Sequence, residues 1–293
     1  NIKLKLEAIN RSATPMQLLS VTTLPNEIKT VQNLELKNNV LKSINLDLRL
    51  PETIKYTQPY WLQESGTDGM YTVNNQKNIG IPDIIREVKV VFNLKISAIE
   101  IPFERTVVYK YNDDVKGEIY NYLDIVPEVT TAIVDNVLLF KDNKVKYVGV
   151  KIRTGKDAVK GNLELELPKN WNVSPKSIPF DIAKKGSEQI VYFEVTPPNK
   201  PEEVIAKSIA TIGNKRFDKE QIFINYDHIT KQQVLKPAEA KMIKTDLKTS
   251  GEKIAYIMGA GDEVPNSLMQ LGYTVTILKA EEISPEKLEN YDV

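Results

Sequence analysis

Apolar and polar residues alternate along the first part of the chain. Ile2, Leu4 and Leu6 fall on one face, with Lys3 and Lys5 on the other. Ile44, Leu46, Leu48 and Leu50 repeat the pattern against Asn45, Asp47 and Arg49. Val88, Val90, Phe92, Leu94 and Ile96 do so again. A period of two with one apolar face marks half-buried antiparallel strands, because successive side chains leave a strand on opposite sides. Pro15, Pro25, Asn38-Asn39 and Pro51 interrupt these runs as turns. The pattern predicts a β-sandwich over residues 1–125.

The alternation lapses between Pro51 and Pro82. A loop of that length inside a compact domain is uncommon and tends to serve a function or an interface. This excursion, over 51–85, carries Tyr56, Tyr60, Trp61 and Tyr71. Displayed on a surface, such rings stack on sugars or anchor a partner. Folded back, they cap the edge of the sandwich, the commoner fate of large aromatic side chains.

A second module is expected over 126–228. Short strands at 137–140, 145–152, 162–167, 189–195, 206–212 and 221–224 alternate with turns at Asp142-Asn143, Gly155-Lys156, Lys185-Gly186 and Gly213-Asn214. That spacing argues for an immunoglobulin-like sandwich without a cysteine pair. Trp171 is expected to plug its core. Residues 229–251 read as a linker.

The character then changes over 252–293. Lys253 to Met258 is a nearly continuous apolar run, the mark of a strand buried on both faces. A short helix over 264–271 follows, ended by Gly272. Tyr273 to Leu278 is a second strand. Ser284-Pro285 opens a second helix as N-cap and first helical residue. Tyr291-Asp292-Val293 reads as the start of a third strand. The order βαβα is that of a parallel, flavodoxin-like sheet, expected here as a truncated α/β domain. The chain begins at Asn1 rather than Met, so it is expected to be a piece of a longer protein.

Composition narrows the chemistry. The 39 basic and 39 acidic residues of the 293 cancel, so no overall field draws the chain to nucleic acid. No run approaches the roughly 18 apolar residues of a membrane span. There is no cysteine, which removes disulfides, thiol nucleophiles and thiolate zinc sites. His228 is the single histidine, too few for the usual catalytic zinc ligand set, and no Gly-x-Ser-x-Gly elbow exists to meet it. Gly259-x-Gly261 after a strand invites a dinucleotide reading, but Val264 stands where the third glycine belongs. Asn112, Asp113 and Asp114 offer oxygen ligands for calcium, against the simpler reading of a solvated turn beside an edge strand. The chain itself is expected to be non-catalytic, with no catalytic, cofactor-binding or metal-ligating residue.

Several runs carry a resemblance. Gln58-Pro59-Tyr60-Trp61-Leu62, Gly66-Thr67-x-Gly69-Met70-Tyr71 and Val107 to Glu118 are similar to the region after the catalytic domain of large Bacteroidetes PIG-L (LmbE-like) deacetylases. Ile224-x-Tyr226-Asp227-His228-Ile229 and Ile257-x-Gly259-Ala260-Gly261-Asp262-x-Val264-Pro265 resemble the same proteins. The second module resembles NEW3-type immunoglobulin-like domains, and the tail resembles the start of an amidotransferase-like fold. The resemblance implies a zinc-dependent N-acetyl-sugar deacetylase as parent, exported to the periplasm or surface of a bacterium. Its zinc would lie in an Ala-His-Pro-Asp-Asp motif that this chain lacks. The expected partners are that catalytic domain and glycan, the latter through Tyr56, Tyr60, Trp61 and Tyr71. The alternatives are a purely structural spacer and an enzyme within the chain.

Overall fold

The computed structural model describes residues 2–293, and the protein is mainly β, with sandwich-like packing of sheets. The chain divides into two units: residues 1–126 with 223–234, and residues 127–222 with 235–293.

In the first unit, β1 (Ile2–Ile9), β2 (Met16–Leu24), β3 (Ile28–Glu35) and β4 (Leu41–Leu48) precede the excursion. β5 (Lys89–Ile96), β6 (Ile99–Thr106), β7 (Val108–Asp113) and β8 (Gly117–Tyr122) follow it. β1 and β4 pair antiparallel, with Leu4 opposite Leu46 and Leu6 opposite Ile44. The other main sheet runs β3-β2-β5-β6. Leu4, Leu6, Val21, Leu48, Val88 and Val90 form the core. All but Val21 are apolar positions of the alternating runs, so the period-two pattern sets which face is buried. One extra residue in β3 shifts the register between Leu18 and Ser20, and Asn33 takes the positive φ of 48° there. Such a bulge re-aims an edge strand.

β6 is the other edge of that sheet and its first seven residues are exposed. Val107 N donates to Val88 O, which sets the odd-numbered residues of β6 toward β5. Pro102 therefore occupies the free edge, between Glu100 and Glu104. A missing N–H flanked by carboxylates blocks addition of a further strand.

The second unit holds β9 (Val129–Ile133), β10 (Val137–Phe140), β11 (Lys146–Thr154), β12 (Val159–Glu166), β13 (Asn172–Ser174), β14 (Ile178–Ile182), β15 (Glu188–Thr196), β16 (Glu202–Ile212) and β17 (Lys215–Phe217). β18 (Lys219–Ile224) and β19 (Gln232–Pro237) pair with each other, and β20 (Glu239–Lys244) returns to the main sheet. One sheet runs β10-β20-β16-β12-β14 and the other β13-β15-β11-β9. Phe140, Phe193, Ile152, Leu163 and Met242 are fully buried between them. Trp171 joins this core at 3% exposure, edge-on to Phe140 at 5.1 Å, with its indole N–H donating to Glu202. Thr131 and Ser208, both buried, tie the two sheets: Ser208 Oγ donates to Thr131 Oγ1 at 2.6 Å, and Thr131 Oγ1 donates to Ser208 O at 3.1 Å.

Residues 232–237 and 239–244 correct the expected linker over 229–251. They form β19 and β20, and Ala240 and Met242 belong to the second core. The lysines interleaved with them hide the alternation: Lys241 points out, and buried Lys244 turns its Nζ to Thr245 O and Asp246.

Gly161 is required by packing rather than by a turn. A Cβ there would lie 2.4 Å from Thr211 O and 2.8 Å from Phe180 Cζ. Neither neighbour is a flexible side-chain end. Gly161→Ala is expected to cost about 1–3 kcal/mol in urea unfolding, as overpacked sites do.

The last segment comprises β21 (Lys253–Ile257), α1 (Val264–Gln270), β22 (Thr274–Leu278) and α2 (Pro285–Leu288). β21 and β22 are parallel. Thr274 N donates to Glu252 O on one edge of β21. On the other, Asp292 N donates to Lys253 O and Ala255 N donates to Val293 O. Residues 292–293 thus run beside β21, opposite β22. The expectation of a strand buried on both faces fails in part: Ile254 is buried but Ile257 is 54% exposed. Ser284 Oγ caps α2 by accepting from Lys287 N. Gln270 joins α1 to the sandwich. Its Oε1 accepts from Leu139 N at 2.7 Å and its Nε2 donates to Val137 O at 3.2 Å. The amide thereby completes the free backbone edge of β10 as a neighbouring strand would. Lys146 Nζ donates to both Leu139 O and Gln270 O, and burial pushes its pKa down.

Candidate functional site

The excursion has little regular structure, only single 3-10 turns at Tyr60–Leu62 and Gln76–Asn78. Local hydrogen bonds shape it instead. Thr67 and Met70 exchange backbone bonds of 2.9 and 3.3 Å, with Gly69 at φ 103° between them. Gly66 lies so close to this turn that a Cβ would meet Met70 O at 2.6 Å.

Its four aromatic residues divide between two concave surfaces. Trp61 and Tyr71 line a groove of about 440 Å³ with the 66–70 turn, and Tyr71 is 68% exposed. Tyr56 and Tyr60 line a separate cavity of about 110 Å³ with Thr57, Gln63, Asn78 and Arg86. Tyr60 and Trp61 themselves fold back: both are half-buried, meet edge to face at 4.9 Å, and Tyr60 OH donates to Ile81 O. Tyr56 and Tyr71 are displayed.

The floor of the smaller cavity rests on residues the sequence did not single out. Arg86 is buried at 6% exposure. Its Nη1 donates to Ile84 O at 3.3 Å and meets Asp83 at 3.4 Å. Its guanidinium lies over the Tyr122 ring at 3.9 Å. The Nε and Nη2 atoms make no hydrogen bond, nor does buried Asp124 Oδ1, which sits 3.8 Å from Nε. These unpaired atoms face one another as a charge pair. Gln233, 1% exposed, donates to Thr57 O and Ile125 O, closing the base of the excursion.

Asp124 and Glu128, four residues apart, titrate in opposite senses. Burial raises the Asp124 pKa above the ordinary carboxylate value, with Arg86 opposing. The hydrogen bond from Lys156 lowers that of Glu128. A raised folded pKa gives stability that is full below the unfolded value, near 3.9 for Asp, and is lost as pH rises through the folded one. A lowered one gives stability present above the unfolded value and lost as pH falls. The stability of Asp124→Asn relative to the parent is therefore expected to improve from pH 3 to pH 7, and Glu128→Gln is expected to remove part of the acid sensitivity. Urea midpoints across pH 3–7 read both.

The other positions weighed from sequence fall apart spatially or pair locally. Asp113 Oδ1 accepts from Val115 N and Lys116 N, closing the turn between β7 and β8. His228 is exposed and stacks beside Tyr226 at 5.8 Å. Asp262 accepts from Gly259 N and Tyr256 OH, folding the Gly-Ala-Gly loop onto itself. Among the described residues no three His, Cys, Asp or Glu side chains converge on a metal position. No helix among them is long and apolar enough to cross a membrane.

Comparison of the chain with protein-family models and with curated proteins returns no match.

Proposed function

We propose that this chain is a non-catalytic accessory region of a zinc-dependent N-acetyl-sugar deacetylase of the PIG-L (LmbE-like) class, exported by a bacterium, and that it brings the enzyme to glycan. The observation that carries the glycan half is the displayed Tyr71 beside Trp61 in one groove. An aromatic ring offers a flat apolar face to the C–H groups of a sugar while its polar tip stays wet. The second unit is read as an immunoglobulin-like module of NEW3 type. Its parallel pairing of β10 with β20, at the border of an otherwise antiparallel sheet, supports this. The parallel β21–β22 pair supports a flavodoxin-like reading of the tail.

Titration of the chain with neutral N-acetylated glycans tests the reading. Binding is expected to weaken several-fold in Trp61→Ala and Tyr71→Ala. Absence of binding to any glycan would leave positioning as the sole role. A purely structural spacer is favoured by one feature, the Gln270 and Lys146 contacts that hold the α/β segment on the second sandwich. Under that reading the excursion is protected from hydrogen exchange in the full-length protein without any ligand.

A further inference from the structure

The β7–β8 ribbon is exposed along most of its length, and its two faces make different contacts. The register places Tyr109 opposite Asn121 and Tyr111 opposite Ile119, so these four share one face. Lys110, Glu118, Tyr120 and Tyr122 share the other. That second face makes its own side-chain contacts. Tyr122 covers the Arg86 guanidinium, and Lys110, Glu118 and Tyr120 bond among themselves. On the first face Ile119 is half-buried, and the two tyrosine rings are displayed around it. Tyr109 is 67% and Tyr111 39% exposed, and their rings lie 5.7 Å apart, tilted by only 30°. Neither hydroxyl makes a hydrogen bond among the described residues.

The ribbon's turn reaches a second ring pair. Lys116 Nζ meets Asp227 at 3.1 Å. Asp227 stands between Tyr226, 63% exposed, and His228, whose rings are 5.8 Å apart at the same 30° tilt. Two near-parallel ring pairs are thus linked through one ion pair.

We propose that Tyr109 and Tyr111, with Asn121 at their side and Tyr226 with His228 beyond the Lys116–Asp227 bridge, form a stacking platform for a neutral, hydroxyl-rich glycan chain. This rests on the glycan reading above and gives it a second, separate contact surface. Charge selects the ligand class. Lys116, the cation between the two ring pairs, is paired with Asp227, so it is not a spare cation for phosphate or nucleic acid. Exposure selects against a protein partner. Asp227 is 96% exposed, and a protein interface across the platform would take its ion pair out of water at a cost that the attraction does not reliably repay. An open sugar chain stacks on the rings and leaves that pair hydrated. The free tyrosine hydroxyls and the Asn121 amide then serve the sugar hydroxyls.

The test titrates the intact 293-residue chain with the tetramer of N-acetylglucosamine by calorimetry. The Tyr109→Ala/Tyr111→Ala double variant is expected to bind about tenfold more weakly, two stacked rings being lost. The loss should add to that of Trp61→Ala, while Tyr109→Phe/Tyr111→Phe keeps most of the affinity. Near-ultraviolet dichroism and exchange of the β7–β8 amides confirm that the ribbon persists. Wild-type affinity in the double variant, with binding lost in Trp61→Ala, overturns the platform and leaves the glycan reading standing. No binding by the intact chain sinks both. A self-associating chain that becomes monomeric in the double variant makes the platform a contact between copies, which also overturns the proposal.

Discussion

Arg86→Met is expected to destabilise the first unit by about 3 kcal/mol in urea unfolding. Removing one partner of a buried ion pair leaves the other uncompensated, which costs roughly 3–5 kcal/mol when burial is complete. Asp124, with a side chain 25% exposed, keeps some water and sets the lower figure. Four losses coincide at this position, one of them the Nη1 contact with Asp83. Asp124 loses its facing cation, Ile84 O loses a donor, and the Tyr122 ring loses the guanidinium stacked on it. The Arg86→Met/Asp124→Asn double variant separates these terms. Removal of both charges is expected to recover about half the loss, because the remaining apolar side chain still fills the site. Full additivity of the two single effects would show that the pair does not interact. Exchange of the β7–β8 amides is expected to accelerate in Arg86→Met, since a two-stranded ribbon has little stability without packing on one face. If the proposed platform binds glycan, Arg86 is a positioning residue for it. Rings on a loosened ribbon lose their mutual orientation, so sugar affinity should fall even at temperatures where the core stays folded.

Nothing in the sequence pattern marked Arg86. It sits between Ile85 and Glu87 in a stretch without period, and a lone arginine there reads as surface. Its burial follows from partners that arrive from Asp83, Tyr122 and Asp124, and such convergence is a property of the folded chain. The tyrosine platform was half legible. Tyr109-x-Tyr111 has the spacing of one strand face, but the run reads as a turn beside a charged edge strand because Asp113, Asp114 and Lys116 dominate its end. The partner strand was needed to show that Ile119 and Asn121 share the tyrosines' face. Strands with a clean alternation, such as Ile2 to Leu6 and Ile44 to Leu48, were legible to the residue, since each buries one face against a single core. The excursion had no period to read. Its four rings were visible as a set, yet their division into two concave surfaces depends on the Gly66 and Gly69 turn.

Trp171→Ala is expected to cost the second unit about 3–5 kcal/mol, the range for truncating a large buried aromatic. Trp171 ties three parts of the core together. It follows β12 in the chain, leads into β13, and meets Phe140 of β10 edge to face. The contact joins the two sheets, because β10 and β13 belong to different ones. Truncation leaves a cavity beside Phe140, in a core whose other side chains are already buried. The indole N–H adds a polar share, for its acceptor Glu202 also receives Asn170 Nδ2 at 2.7 Å. Trp171→Phe separates the two contributions. It keeps most of the ring volume and drops the hydrogen bond, so a loss of about 1–2 kcal/mol is expected. Equal losses in the alanine and phenylalanine variants would place the effect in the Glu202 bond instead of the packing. In neither variant should glycan affinity change at temperatures where the protein is folded, because the proposed sugar contacts all lie on the first unit, which has its own core. A fall in sugar affinity in folded Trp171→Ala would instead show that the second unit takes part in recognition.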